Sequence, residues 1–529
     1  MDPTDQTGFP QGRRRAGESG AGSAALLEEP AAEPVTAPRL YQRCDRWTGV
    51  LLYAAVVFAP WAFGATQTWA VGVLTGAGLG LGLLLGIKRS LRWRTGYQPP
   101  RWGEEALKRG QPGRFRPHAR AARWLTRSLA TGTIIVVGYC LVSALNERAT
   151  YRDGIQTFND HFLVWLPHSY DADASWASFW RYLGLAGFFW AARDWLLGKS
   201  PREREPEEPL LAPQLPPAPL PDRLARLLWV LCLNGAALGV VCILQRLDGT
   251  DRLLWLMPSR AGGPDFHFGP FNYRGNGAQY FNLLWPVSLA FWWTLFRASQ
   301  AGRRAGTRIG GEPHLVLLPC ALVQAACPVI SASHGGAVIA AVQAIAALGV
   351  LLVANWRSRP TIRVAMLTPF AVGVGVAAYL GWNQFQVGFL NAFQDDLGDR
   401  VEIYQHAHQM AVDHPLFGTG PGTFPAMYQL YRSGDPADAA AYAHDDWLQT
   451  VITFGWMGAA FVLLLLLHPF LRWWARDGIQ SRGDLVVMIW VALVGALFHA
   501  RFDFPFQIYA VLQLFLLLSC ITCCVGRKP

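Results

Sequence analysis

Twelve blocks of mostly apolar residues, most of them close to the roughly 20 residues that a helix needs to cross a bilayer, dominate the sequence. They lie near 48–65, 68–87, 128–145, 176–197, 223–245, 276–297, 315–331, 337–355, 364–382, 451–469, 485–500 and 507–525. The seventh and eleventh are short, and the fourth carries Arg181, Arg193 and Asp194. The expected fold class is all-α: a polytopic integral membrane protein of about twelve transmembrane helices. A chain of 529 residues could otherwise hold three or four soluble domains, but composition opposes that. Hydrophobic residues make up 52% and charged residues 16%, against roughly 25% charged in a soluble domain. The 23 tryptophans suit membrane interfaces. A soluble enzyme, a disordered protein and a disulfide scaffold are disfavoured together.

The net charge of +10 is distributed as a topology signal. Segment 88–127 holds twelve Lys/Arg against two Glu, and 297–314 and 356–363 are also basic. The alternate loops are acidic: 146–175 has five acids, and 383–450 has nine against Arg400 and Arg432. Basic loops stay on the cytoplasmic side. Twelve helices with both termini inside therefore place 383–450, between the ninth and tenth helices, on the outer face. No nucleic-acid partner is expected, because the charge marks a membrane face. Membrane lipids are the expected surroundings.

Four regions follow. Residues 1–46 form an Ala/Gly/Pro/Glu-rich, disordered cytoplasmic N-terminus. Residues 47–198 hold the first four helices, and 199–222 is a proline-rich cytoplasmic linker. Residues 223–525 hold the remaining helices and the outer loop 383–450. The cysteines fall almost wholly within predicted helices, which argues against an external disulfide framework.

Chemistry concentrates at the outer level. Asp399–Asp413 has a helical pattern that sets Arg400, Tyr404, Ala407, His408 and Ala411 near one face. After His414-Pro415 comes the glycine turn Phe417-Gly418-Thr419-Gly420-Pro421-Gly422-Thr423-Phe424. Gly420 and Gly422 admit two readings, a phosphate-binding nest or a plain turn. His444 follows, beside Asp445 and Asp446 at the mouth of the tenth helix. It is either a proton acceptor or an interfacial histidine bonded to one of those aspartates. Three more polar islands hold Arg274, His334, and Arg501 with Asp503. Ionisable groups at membrane depth mark sites or cavities. Against this stand snorkelling for Arg274 and Arg501 and a simple Arg501–Asp503 pair. No His/Cys spacing matches a recognised zinc ligand set, so no metal is expected.

At these residues the chain resembles the O-antigen ligase and O-antigen polymerase family of polytopic bacterial membrane proteins. The resemblance is an ordered series over about 265–510: Asn272-Tyr-Arg-Gly-Asn-Gly-Ala-Gln279, Ser331-Ala-Ser-His-Gly-Gly336, Arg400 with Tyr404, Asp413-His-Pro-Leu-Phe-Gly-Thr-Gly-Pro-Gly-Thr-Phe424, Ala443-His-Asp-Asp-Trp-Leu-Gln449, Gly455-Trp-Met-Gly458 and Asp503-Phe-Pro-Phe-Gln507. The departures are His334 in place of the family's arginine, Tyr404 in place of tryptophan and Thr453 in place of glutamate, which mark a divergent member.

The resemblance implies transfer of a glycan from a polyprenyl-diphosphate carrier to a lipid or glycan acceptor hydroxyl, on the periplasmic side of the bacterial inner membrane. His444 would take the acceptor proton and Arg400 would stabilise the departing diphosphate. Arg274, His334, Asp446, Gly420, Gly422, Arg501 and Asp503 would bind substrate. Guanidinium suits phosphate because its planar fork binds oxygens in pairs. The transfer would invert the anomeric centre, and no cofactor or metal is implied. A polymerase and a protein O-oligosaccharyltransferase of the same family share these motifs. A transporter or lipid-linked sugar flippase is the reading from another class, but polar residues would then be expected nearer the midplane.

Overall fold

A computed structural model describes residues 37–102, 116–152, 154–204, 219–259, 263–304, 314–356, 375, 396–432, 440–475, 479–481 and 483–527. The chain is mostly helical. In order, the helices are α1 Arg39–Trp61, α2 Thr68–Thr95, α3 Arg116–Leu145, α4 Ala172–Leu197, α5 Asp222–Asp248, α6 Arg274–Arg304, α7 His314–Ile330, α8 His334–Ala354, α9 Asp396–Asp413, α10 Phe424–Tyr431, α11 Asp446–Leu471, α12 Gly483–His499 and α13 Tyr509–Cys524.

Among the described residues, five helical stretches are long and apolar enough to cross a membrane: Thr68–Thr95, Arg120–Leu145, Asp222–Asp248, His334–Ala354 and Asp446–Trp474. Three apolar helices are shorter, α7, α12 and α13. Helices α1, α4 and α6 are 23, 26 and 31 residues long but carry more charged, polar and interfacial aromatic residues. The ninth expected block, 364–382, lies outside the described residues apart from residue 375. The N-terminal boundary moves: α1 begins at Arg39, so residues 39–46 are helical rather than part of a tail. Residues 1–36, and 205–218 of the linker, also lie outside the described residues. The two described ends of that linker are joined by Glu203, whose carboxylate accepts Ser200 N–H at 2.8 Å and Asp222 N–H at 2.7 Å.

Missing side chains let α2 and α4 cross closely. A Cβ on Gly78 would lie 2.2 Å from Gly184 O, and one on Gly187 would lie 2.3 Å from Gly78 O. Helices in lipid gain contact through small residues of this kind, because burial against lipid tails supplies no hydrophobic drive. At the basic end of the same helices, buried Lys88 bridges Asp45 at 2.9 Å and Asp194 at 2.8 Å. Arg223 completes the pair with Asp45, and Arg92 and Arg101 bind Asp194. Charges out of water survive only when paired in this way. Deeper in the bundle, Ser288 donates to Gln324 Oε1 at 2.7 Å and Gln324 Nε2 donates to Cys232 O at 2.8 Å, tying α6, α7 and α5.

At the other end of the bundle α9 and α10 form a small separate core. It contains Tyr170, Ala407, Met410, Ala411, Phe424, Met427, Tyr428, Ala443 and Ile452. The packed stripe of α9 thus holds Ala407 and Ala411, as the spacing predicts, but His408 is exposed. A hairpin, β1 Ala149–Arg152 with β2 Ile155–Phe158, lies in the preceding loop with Ala149 opposite Phe158.

Candidate active site

The site is assembled where α11 begins. Asp445 caps the helix by accepting Trp447 N–H at 3.0 Å and Leu448 N–H at 3.1 Å. Its other oxygen accepts Arg501 Nη1 at 2.5 Å. Burial pushes the Asp445 carboxyl up, while the capping N–H groups and Arg501 oppose that shift. One of the two readings left open by the sequence paired Arg501 with Asp503. The structure corrects this: Asp445, not Asp503, takes the guanidinium, because residue 501 points back at the helix start. Asp446 is spent on the turn after α12, accepting Phe506 N–H at 2.8 Å and Gln507 Nε2 at 2.7 Å. Its own N–H donates to Ala500 O at 2.8 Å. Asp446 therefore docks α11 onto residues 500–507 rather than turning towards a ligand.

This docking carries His444 to Asp503. His444 holds a left-handed backbone (φ +50°), which is costly for a residue with a Cβ. Its Nδ1 is buried without a hydrogen-bond partner among the described residues and lies 3.7 Å from Asp503 Oδ1. So neither neighbour expected to orient the imidazole, Asp445 or Asp446, does so; the carboxylate facing it is Asp503. The imidazole stands edge-on to Phe504, with centroids 4.7 Å apart at 89°, and to Tyr273 at 6.1 Å. Tyr442 stacks on the same Phe504 at 4.4 Å. Asp503 is buried, and its second oxygen lies 3.7 Å from His499 Nε2. His499 Nδ1 hydrogen-bonds Gln279 Oε1 at 2.7 Å.

The other expected site residues divide. His334 opens α8, and the next residue packs on His499: a Cβ on Gly335 would lie 3.1 Å from its Nε2. Arg274 opens α6 and donates Nη1 to Asp265 O at 3.3 Å. Its neighbours are closer to the site, since Tyr273 stacks on Phe504 at 5.2 Å and a Cβ on Gly275 would sit 2.4 Å from Asp503 Oδ2. Arg400 is in α9, one turn before Tyr404, whose hydroxyl donates to His444 O at 3.1 Å. Thr453 back-bonds Gln449 O at 2.8 Å.

The glycine turn has a structural use. Helix α11 breaks at Gly455 (φ +64°, ψ 178°). The carbonyls of Ile452 and Thr453 then accept Thr419 N–H at 2.8 Å and Gly420 N–H at 3.0 Å, while Trp456 N–H donates to Pro415 O at 2.8 Å. Gly418, Gly420 and Gly422 all have positive φ. Side chains on Gly420 and Gly422 would meet Ser169 Cα at 2.9 Å and Ser178 Oγ at 2.5 Å. The nest reading is therefore corrected. The N–H donors of Gly418, Thr419 and Gly420 go to protein carbonyls, and Gly420 and Gly422 face α4 and the loop before it.

Sequence reasoning left His499 and Gln279 without roles, although Gln279 closes the 272–279 motif and His499 stands two residues before Arg501. It also passed over Arg181. This arginine lies inside α4, and its Nε is buried without a hydrogen-bond partner among the described residues. An arginine within an apolar block was the signal available.

Residues 319–463 match the family model described as O-antigen ligase. That stretch is similar to the O-antigen ligase family. It includes His334, Arg400, Tyr404, the glycine turn and His444–Asp446, while Arg274, His499, Arg501 and Asp503 lie outside the matched residues. No curated protein matches the chain. The matched stretch thus supplies the histidine, and the turn after helix α12 brings the facing carboxylate.

Proposed function

We propose that the chain transfers a glycan from a polyprenyl-diphosphate carrier to an acceptor hydroxyl at the periplasmic face of the bacterial inner membrane. The observation that carries this reading is His444, inside the stretch similar to the O-antigen ligase family, with Nδ1 turned to buried Asp503. A proton on Nδ1 facing the carboxylate leaves Nε2 as the basic nitrogen. The side chain is 24% exposed, open enough for an acceptor to approach. The acceptor O–H gives its proton to Nε2 as its oxygen attacks the anomeric carbon from the face opposite the diphosphate. The bond between that carbon and the phosphate oxygen breaks, its electron pair leaves with the diphosphate, and the anomeric configuration inverts. Asp503 stabilises the resulting imidazolium.

The leaving diphosphate needs fixed cations. Arg501 spends Nη1 on Asp445 and its side chain is 58% exposed, so the rest of its donor fork faces outward. Arg400, one turn before the tyrosine that touches His444, is the second candidate. Arg274 is followed by Gly275, which packs on Asp503, and His334 by Gly335, which packs on His499.

The test is the purified full-length chain in nanodiscs, with a polyprenyl-diphosphate-linked glycan and candidate acceptors. Transfer is expected in the native protein and lost in His444→Ala and Arg400→Ala. Activity persisting in both variants, with normal membrane insertion, overturns the mechanism. Chain-length and acceptor analysis of the product separates ligase from polymerase and protein transferase.

A further inference from the structure

Asn146 directly follows the apolar helix α3, and its side chain clasps the next loop. Its amide nitrogen donates to Leu163 O at 2.9 Å and Pro167 O at 3.1 Å, and its amide oxygen accepts Leu163 N–H at 2.7 Å. A turn closed by Leu166 N–H to Leu163 O at 3.2 Å is thereby held at the helix end. Its side chains point out: Leu163, Val164 and Trp165 are 48%, 68% and 70% exposed. Leu145, in the last turn of α3, is 65% exposed, and Ile134, about three turns below, is 71% exposed. The apolar tip thus continues the lipid-facing side of a spanning helix. Exposed Asp160 and His161 precede it on the chain.

We propose that the 159–167 loop is an interfacial anchor, with Leu163, Val164 and Trp165 seated at the headgroup–acyl boundary of the leaflet at this end of the bundle. Indole rings favour that boundary, and aliphatic neighbours deepen the contact. A glycan ligand would call for polar partners beside the indole, and leucine and valine side chains offer none. The loop runs on into Ser169 and Tyr170, which hold the glycine turn. Tyr170 N–H donates to Thr419 O at 3.0 Å, and Ser175 Oγ donates to Pro421 O at 3.0 Å. Lipid contact at Trp165 therefore fixes the height of that turn above the bilayer.

The anchor rests on the reading of α3 as membrane-spanning, so the experiment measures both. A nitroxide is placed at position 165 by Trp165→Cys in the full chain. The nine native cysteines are free and buried, which leaves the label selective. Parallel labels from Ile134→Cys and His161→Cys serve as lipid and water references. The protein is reconstituted in vesicles of phosphatidylethanolamine and phosphatidylglycerol, and collision with oxygen is compared with collision with a nickel chelate. The expected oxygen-to-nickel ratio at 165 falls between the references and nearer that at 134. A ratio at 165 matching 161 overturns the anchor alone. Spin–spin broadening at 165 also overturns it, by showing a second copy on the patch. Water-like behaviour at 134 overturns the spanning helix and the anchor with it.

Discussion

His444 Nδ1 lies 3.7 Å from Asp503 Oδ1, and the second oxygen of that carboxylate lies 3.7 Å from His499 Nε2. One buried anion therefore lies beside two imidazoles, with Gln279 holding that of the buried His499. The arrangement would give a proton arriving on His444 a carboxylate beside it.

His444→Ala is expected to lower the transfer rate roughly 10²–10⁴-fold, the usual worth of a positioned general base. Asp503→Asn should also lower kcat while leaving donor binding close to native. Initial rates at saturating and limiting donor separate the two effects. A native rate in Asp503→Asn would remove the carboxylate from the mechanism.

Asp446→Ala is expected to destabilise the fold by about 1–3 kcal/mol, since Phe506 N–H and Gln507 lose their acceptor. Arg501→Ala should change stability by at most about 1 kcal/mol, because its pair with Asp445 is largely exposed on the arginine side. Thermal unfolding in detergent orders the two variants. Equal Tm values would contradict the division between a docking carboxylate and an exposed cation.

Gly455→Ala is expected to destabilise by more than about 1 kcal/mol. The new Cβ would meet Leu416 O at 2.2 Å on a backbone with φ +64°. Gly72→Ala in α2, where open space surrounds the site, is the matched control and should be neutral or slightly stabilising. Unfolding midpoints of the two variants check this.

Asp194→Asn should cost about 3–5 kcal/mol by leaving Lys88, Arg92 and Arg101 with an uncharged partner. Reduced yield of folded protein in size-exclusion chromatography is the readout, and partial rescue by Lys88→Met follows from the same argument.

His414 supplies a pH dependence. Burial lowers its pKa from 6.5 to about 4, with Asp413 opposing the shift and Arg148 and His168 adding to it. The folded state therefore binds this proton less readily than the unfolded chain does. Stability from the neutral ring is full above pH 6.5 and declines as pH falls towards 4. His414→Asn should flatten that part of the stability curve, measured by thermal unfolding between pH 7 and pH 4.

Much of the framework was legible because apolar blocks and basic loops are long-range averages that survive local detail. The start of α1 was not, since Ala/Pro-rich sequence before Arg39 hides a charged helix start whose second turn is held by Lys88 and Arg223 through Asp45. At the site, histidine and carboxylate types were readable but their pairing was not. His444 and Asp503 are far apart in sequence, and proximity along the chain favoured Asp445 and Asp446. The glycine turn misled for a related reason. Positive φ serves a ligand and a broken helix equally well, and only Ile452 and Thr453 carbonyls decide between them.

The double tether at residues 445 and 446 has a mechanical consequence. His444, the base we propose, belongs to the bundle, because both following carboxylates hold it to the 500–507 turn. Helix α9 reaches His444 by a lighter contact, the Tyr404 hydroxyl. On the proposed function, α9 and α10 could be reshaped for a different acceptor while the histidine and its counter-charge stay in register, so selectivity and reactivity would be free to diverge along separate parts of the chain.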